Sequence, residues 1–214
     1  MQGRDKLWTP LAGRITLART IDVFESSPVI DSIILVLNAE RIDDATRLCE
    51  QEEWHKIIAL VPGGQRRQDS VCAGLDALAT IAPASQWVMI HDGARPLVTL
   101  TLLETGLHAA QQNRAAIAAI PVKDTVKLVQ NGNVSSTIDR SQLWAVQTPQ
   151  VFSFPLIYQA HHSSAAQRDV TDDAALLEQL GQPVTIFPGS STNIKITTQE
   201  DLLLAEAYIQ GHLL

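Results

Sequence analysis

Cysteine is scarce in this 214-residue sequence, with only Cys49 and Cys72 present. Neither stands in a Cys-x-x-Cys pair, and no metal-ligand spacing surrounds them, so both read as small apolar fillers of a cytoplasmic protein. No apolar run reaches the length of a membrane span and no signal peptide opens the sequence, so no membrane partner is expected. Positive charge is also in short supply. Lys and Arg number 16 against 23 Asp and Glu, a formal net charge of -7, which argues against a nucleic-acid partner. A few local cations would still suffice for a small anionic substrate. Internal repeats and low-complexity segments are lacking. So are the Ser-His-Asp, Cys-His and His-Glu-x-x-His arrangements of hydrolytic enzymes. The histidines are scattered, and His161-His162, near a helix end, suggests no chemistry.

What is present is an alternation of strand and helix in a chain long enough for one α/β domain spanning residues 1–214. Met1 to Gly13 reads as loop. Leu17, Ile21 and Phe24 mark a helical face, Ser32–Leu37 a strand, Ala39–Glu53 a polar helix and Lys56–Val61 a second strand. A helix carrying Val71, Leu75 and Leu78 follows. Then come a strand at Trp87–Ile90, a helix at Leu100–Ala110 and a strand at Ala115–Val122. The pattern predicts a parallel sheet with helices on both faces. Asn131-Gly132, between Thr125–Val129 and Val134–Ile138, predicts a hairpin, because both turn residues tolerate positive φ. Such a late insertion reads as a projecting arm, at about 122–146. The chain returns through Trp144–Phe152. A helix from Thr171-Asp172-Asp173 to Gly181 precedes a strand at Thr185–Phe187, and a last helix opens on a Thr197/Glu200 capping box.

The stretch WVMIHDGARP, Trp87 to Pro96, concentrates the chemistry. Its apolar half reads as a strand buried on both faces. Asp92, Gly93 and Arg95 follow just past its carboxyl end, where ligands bind in open α/β sheets. Asp92 could hold a divalent cation and Arg95 could grip a phosphate. Alternatively, Asp92 caps the next helix and Arg95 is a solvated loop charge. Gly63-Gly64 follows the preceding strand on the same expected edge. These glycines are either plain left-handed turns or close approaches of backbone to a ligand. Lys6, Arg95, Arg140 and Lys195 fall in loops or at strand ends, and Thr125, Thr148 and Thr171 add hydroxyls there. Cations and hydroxyls around one acid suit a phosphorylated substrate with a metal-bound triphosphate.

Six stretches carry a family likeness. They are PGGQRRQDSVCAGL (62–75), HDGARP (91–96), PVKDTVK (121–127), TIDRSQLWAVQTPQVF (137–152), TDDA (171–174) and NIKIT (193–197). In this order the chain resembles the 2-C-methyl-D-erythritol 4-phosphate cytidylyltransferases of non-mevalonate isoprenoid biosynthesis. The resemblance implies a Rossmann-like, GT-A-like nucleotidyltransferase fold and a homodimer whose hairpin arms swap. It implies transfer of CMP from CTP to the methylerythritol phosphate, with Mg²⁺ on Asp92. By position, Gly64, Gln65, Ser70 and Gly93 match the cytidine pocket, Gln65 standing where an acid is common. Asp92, Arg95, Thr125, Thr148 and Thr171 match substrate contacts, Thr125 from the partner's arm. Arg140 and Lys195 match the pair that positions the acceptor phosphate, and Lys6 matches a lysine that stabilises triphosphate charge.

One part of the family pattern has no counterpart. Members begin with an apolar strand and a glycine-rich loop ending in Arg-Met, where this sequence begins at Met1. The expected consequence is a sheet lacking a strand between Ser32–Leu37 and Trp87–His91, with rows of unpaired N–H and C=O groups and weakened catalysis. Transfer to another polyol phosphate, such as ribitol 5-phosphate, and a catalytically silent dimeric homologue are the competing expectations.

Overall fold

The computed structural model describes residues 6–211; Met1 to Asp5, part of the segment read as loop, lie outside them. That segment is not all loop. After a single 3-10 turn at Lys6–Trp8, β1 (Pro10–Leu11) and β2 (Arg14–Ile15) form a small antiparallel hairpin. It turns on Ala12 and Gly13, both at positive φ. In order there follow α1 (Thr16–Ser26), β3 (Ile33–Leu37), α2 (Ile42–Glu52), β4 (Ile57–Pro62), α3 (Arg67–Ile81), β5 (Trp87–Ile90), α4 (Leu100–Asn113) and β6 (Ala115–Pro121). The arm is β7 (Val126–Gln130) with β8 (Asn133–Ile138). The chain ends through β9 (Trp144–Ser153), α5 (Phe154–His161), α6 (Ala174–Gln179), β10 (Thr185–Pro188) and α7 (Gln199–Ile209).

The larger sheet has the order β10-β6-β9-β5. β9 opposes both β5 and β6, while β10 runs with β6, so β5, β6 and β10 share one direction. β6 is the buried spine, with Ala115 to Ala119 all at most 5% exposed. Its period-2 alternation divides the core. Ala115 and Ile117 pack with Leu75 and Leu78 of α3, Ile157 and Ala160 of α5, and Leu176 and Leu177 of α6. Ala116 and Ala118 face the other way, onto Phe24 of α1 and Leu102, Leu103 and Ala110 of α4. Helices therefore cover both faces.

β5 departs from the expected doubly buried strand: its four residues are only half-buried. The cause lies in the pairing. β3 and β4 form a separate parallel pair, and β5 has a ladder only to β9 among the described residues. Yet β3 and β5 flank one another. Ile33 shares a cluster with Trp87 and Met89, and Ile34 shares one with Val88 and Ile90. The ladders are thus divided between β3 and β5. Edge strands expose unpaired N–H and C=O groups, and among the described residues side-chain packing joins these two.

Two boundaries move for local reasons. The last helix is capped by Thr198 with Asp201, one residue later than the Thr197/Glu200 reading. Asp201 accepts from the backbone N–H of both Thr197 and Thr198, at 2.8 Å each. α6 starts at Ala174, later than the Thr171 reading, and Asp172 Oδ1 accepts from the Ala175 N–H of its first turn at 3.1 Å. The hairpin forms as its turn chemistry requires: Asn131 has φ 49 and Gly132 φ 78, and Gln130 pairs with Asn133.

Candidate active site

Because β9 runs against β5, its early residues lie at the carboxyl edge of β5, and they fasten three loops there. Ile90 pairs with Gln150. The Asp92 N–H donates to Thr148 Oγ1 at 3.0 Å. Thr148 in turn bonds His91 Nδ1 at 3.1 Å, and His91 Nε2 bonds the Arg95 carbonyl at 3.2 Å. A carbonyl only accepts, so Nε2 carries the imidazole proton and Nδ1 receives the threonine hydroxyl. Burial drives the His91 pKa down to about 4, which keeps the ring neutral and this chain of bonds intact. Gln150 donates to Asp172 Oδ2 at 2.7 Å and accepts from the Ala174 N–H at 3.2 Å, tying the TDDA loop. Gln147 bonds both N–H and C=O of Ser190, and the buried Asn193 donates to the Thr148 carbonyl at 2.8 Å, tying the NIKIT loop.

These ties gather cations around one acid. The Lys195 ammonium lies 2.8 Å from Asp92 Oδ2, with Arg67 Nε 3.6 Å and Arg95 Nε 3.8 Å from the same carboxylate. Burial works to raise the Asp92 carboxyl, but the Lys195 hydrogen bond and the three positive charges outweigh it and hold it below the usual range. Neither bland alternative for this loop survives. Thr99, not Asp92, caps α4. The Arg95 side chain is only 11% exposed and donates to the Asn193 carbonyl at 2.7 Å.

Beneath lies a second ion pair. Arg67 Nη2 is 2.7 Å from Asp173 Oδ2, and Asp173, fully buried, also receives His161 Nε2 at 3.2 Å. Burial opposes the Arg67 charge, yet Asp173, with Asp92 and Asp172, raises its pKa all the same. His161, given no role from sequence, thus orients a buried acid. Arg67, Asp173, Gln150 and Asn193 all lie within the motifs that carry the resemblance. The doubled Arg66-Arg67 at a helix start was the available signal, but only tertiary contact separates the two: Arg66 pairs with Asp69 and Asp169, and Arg67 turns inward.

The face of this network opens on a cleft of about 640 Å³ lined by Lys6, Asn38, Glu40, Arg41, Asp92, Gly93, Ala94, Lys195 and Thr197. A smaller adjoining cleft, about 130 Å³, contains Trp8, Val36, Gly63 and Ser70, and it shares Leu7, Asn38 and Arg41 with the first. The two glycine loops therefore border one continuous depression. None of Gly63, Gly64 and Gly93 has positive φ among the described residues, which removes the left-handed-turn reading. Close approach explains the first pair instead. A Cβ on Gly64 would stand 2.4 Å from Asp69 Cβ, and one on Gly63 2.8 Å from Ser70 Oγ. The Gly64 N–H donates to Ser70 Oγ at 3.1 Å.

The remaining sequence candidates are placed unevenly. Lys6, Lys195, Asp92 and Gly93 meet at the larger cleft, and Ser70 lines the smaller. Gly64 and Gln65 are exposed beside it. Thr148 is buried and its hydroxyl is engaged beneath Asp92 rather than turned outward. Thr171 is exposed on the TDDA loop. Thr125 and Arg140 flank the arm, exposed, with Arg140 donating to the Lys123 carbonyl. Neither lines the cleft, so one chain does not bring Arg140 to Lys195.

Asp92 also suits a divalent cation. Mg²⁺ is commonly held by one or two carboxylates plus substrate phosphates and water, and Asp92 is an ionised carboxylate facing the cleft that can offer one such ligand once Lys195 turns to a phosphate. Among the described residues, no helix is long and apolar enough to cross a membrane.

Comparison with known proteins agrees with this geometry. Residues 1–211 match the family described as 2-C-methyl-D-erythritol 4-phosphate cytidylyltransferase. The enzyme so named from Dehalococcoides mccartyi is 45% identical over 211 residues, covering 98% of this chain and 90% of that one. Its namesake from Syntrophotalea carbinolica is 46% identical, covering 96% and 88%. The crystal structure of 4-diphosphocytidyl-2C-methyl-D-erythritol synthase from Anaerococcus prevotii superposes with a TM-score of 0.86 at 35% identity, covering 95% of this chain and 93% of that one. The Thermus thermophilus cytidylyltransferase superposes at 0.80 with 31% identity, covering 96% and 94%. The chain belongs to the 2-C-methyl-D-erythritol 4-phosphate cytidylyltransferase family.

Proposed function

We propose that this protein transfers CMP from CTP to 2-C-methyl-D-erythritol 4-phosphate, releasing pyrophosphate, with Mg²⁺ as the divalent cation. The observation that carries the reading is the ionised Asp92 at the carboxyl end of β5, ringed by Lys195, Arg67 and Arg95 on an open cleft. An acceptor phosphate oxygen bonds to the α-phosphorus of CTP as the bond to the bridging oxygen of pyrophosphate breaks. A phosphate monoester, with a second pKa of about 6, is largely dianionic near pH 7 and needs no general base. That fits a site whose nearest histidine, His91, is partly buried and engaged.

The work left to the residues is positioning and charge neutralisation. Lys195 moves from Asp92 to the acceptor phosphate, which frees the carboxylate. Asp92 would hold Mg²⁺, which would supply charge neutralisation on the phosphates. Lys6 faces the triphosphate across the cleft. Gly64, Gln65, Ser70 and Gly93 form the cytidine side, and Thr171 borders the substrate. Arg95 and Thr148 act from below, holding the Asn193 and Asp92 backbones. Arg140 and Thr125, displaced on the arm, serve the site of a second copy in a homodimer. The names of the relatives favour the methylerythritol acceptor over ribitol 5-phosphate. Offering both acceptors with CTP and following product formation tests the choice: the methylerythritol phosphate should be used at least about tenfold better, and equal or reversed use would overturn it.

A further inference from the structure

Away from the cleft, Cys72, Asp76 and His162 bring one ligand atom each to within 4.8 Å of one another. Cys72 and Asp76 are four residues apart on α3, hence on one face, and His162 follows the last turn of α5. His162 Nε2 is 3.0 Å from Asp76 Oδ1 and 3.9 Å from Cys72 Sγ. His162 Nδ1 lies 2.8 Å from the Tyr158 carbonyl. A carbonyl accepts only, so Nδ1 carries a proton, and Nε2 faces the carboxylate and the sulfur either as a lone pair or as the second N–H of an imidazolium. Two acceptors 3.0 Å apart repel unless a positive charge lies between them.

We propose that Cys72, Asp76 and His162 bind a zinc-class divalent cation, with an exogenous ligand such as water in the fourth position, and so tie α3 to the end of α5. The donor set of thiolate, imidazole and carboxylate is that of a borderline-soft ion. Tetrahedral bonds of the usual Zn–N, Zn–O and Zn–S lengths put neighbouring ligand atoms about 3.3–3.6 Å apart, so small side-chain adjustments close the site. The surroundings are those of a ligating histidine. Its second nitrogen donates to a backbone carbonyl, as such rings commonly do, and the ring stacks on Tyr158 with centroids 4.2 Å apart.

The test is titration of the metal-free full-length protein with Co²⁺ in excess Mg²⁺, followed by absorption. One equivalent should produce a thiolate-to-cobalt band in the near ultraviolet with strong tetrahedral bands in the visible, and Zn²⁺ should bleach both. Cys72→Ser should lose the thiolate band, and Asp76→Asn, which keeps the side-chain shape, should weaken binding by at least about tenfold. Cys49→Ser and Asp92→Asn should retain both signals. Absence of the bands in the wild-type protein means that the group shares a proton, and overturns the proposal. So does a thiolate band that survives Cys72→Ser.

Discussion

Lys195 donates to the Asp92 carboxylate at 2.8 Å, so the site neutralises its own acid until a phosphate arrives. An ammonium on a flexible stem can change partners at little structural cost, because its side chain is 44% exposed. Replacing Lys195 with Gln should lower kcat/KM by about 10²- to 10³-fold, the scale for a lost charged donor to a developing anion. Burial would then act on Asp92 with less opposition, so its pKa should rise. Steady-state kinetics and carboxyl titration by NMR check the two effects.

Arg67 and Asp173 carry a different load. Asp173 is fully buried, and removing one partner of a buried pair commonly costs about 3–5 kcal/mol through the charge left behind. Arg67→Met should therefore reduce unfolding free energy on that scale in denaturant titration. Adding Asp173→Asn should recover part of it. Equal stabilities for Arg67→Met and wild type would show that the pair is neutral.

The neutral His91 links stability to pH. Its folded pKa, about 4, lies below the ordinary histidine value of 6.5, so between these values the unfolded chain binds more protons. Stability must then fall as pH drops from about 6.5 to about 4, by at most about 1.4 kcal/mol per pH unit for this one proton. Asp92, also lowered, adds loss in the same direction below the ordinary carboxylate range. Melting temperatures from pH 7 to 4 should show the slope, and His91→Gln should flatten its upper part.

Much of this was legible in the sequence, for definable reasons. Positive φ at Asn131 and Gly132 is a local demand, so the hairpin could be read from two residues. The Asp92 loop was visible because an apolar run stops on charged and glycine residues. The Arg67–Asp173–His161 line was not, since nothing local distinguishes an inward arginine from its outward neighbour. Nor did composition show that Thr148 would spend its hydroxyl on the Asp92 N–H. The half-burial of β5 escaped its apolar sequence because burial depends on which strand stands next to it.

That edge makes its own prediction. β5 has a ladder on one side only among the described residues, whereas β6 lies between β9 and β10. Amide hydrogen exchange should be at least about tenfold faster for the unpaired β5 N–H groups than for β6, since exposed backbone opens at lower cost.

The arm offers a test of assembly. Leu128, Val129 and Val134 leave it with exposed apolar surface, and Thr125 and Arg140 stand at its base. Replacing residues 126–138 with a short Gly-Ser linker should convert a dimer to a monomer in analytical ultracentrifugation and remove activity with it. An active dimer without the arm would show that Arg140 and Thr125 serve no partner's site.

The account turns on Asp92. The most direct measurement is formation of the cytidylylated product from CTP and 2-C-methyl-D-erythritol 4-phosphate by the wild-type chain and by Asp92→Asn, with and without Mg²⁺. The prediction is Mg²⁺-dependent product from the wild type and a loss of at least about 10²-fold in the variant, with the fold intact by circular dichroism. Equal rates in both proteins, or no product from the wild type, would contradict it.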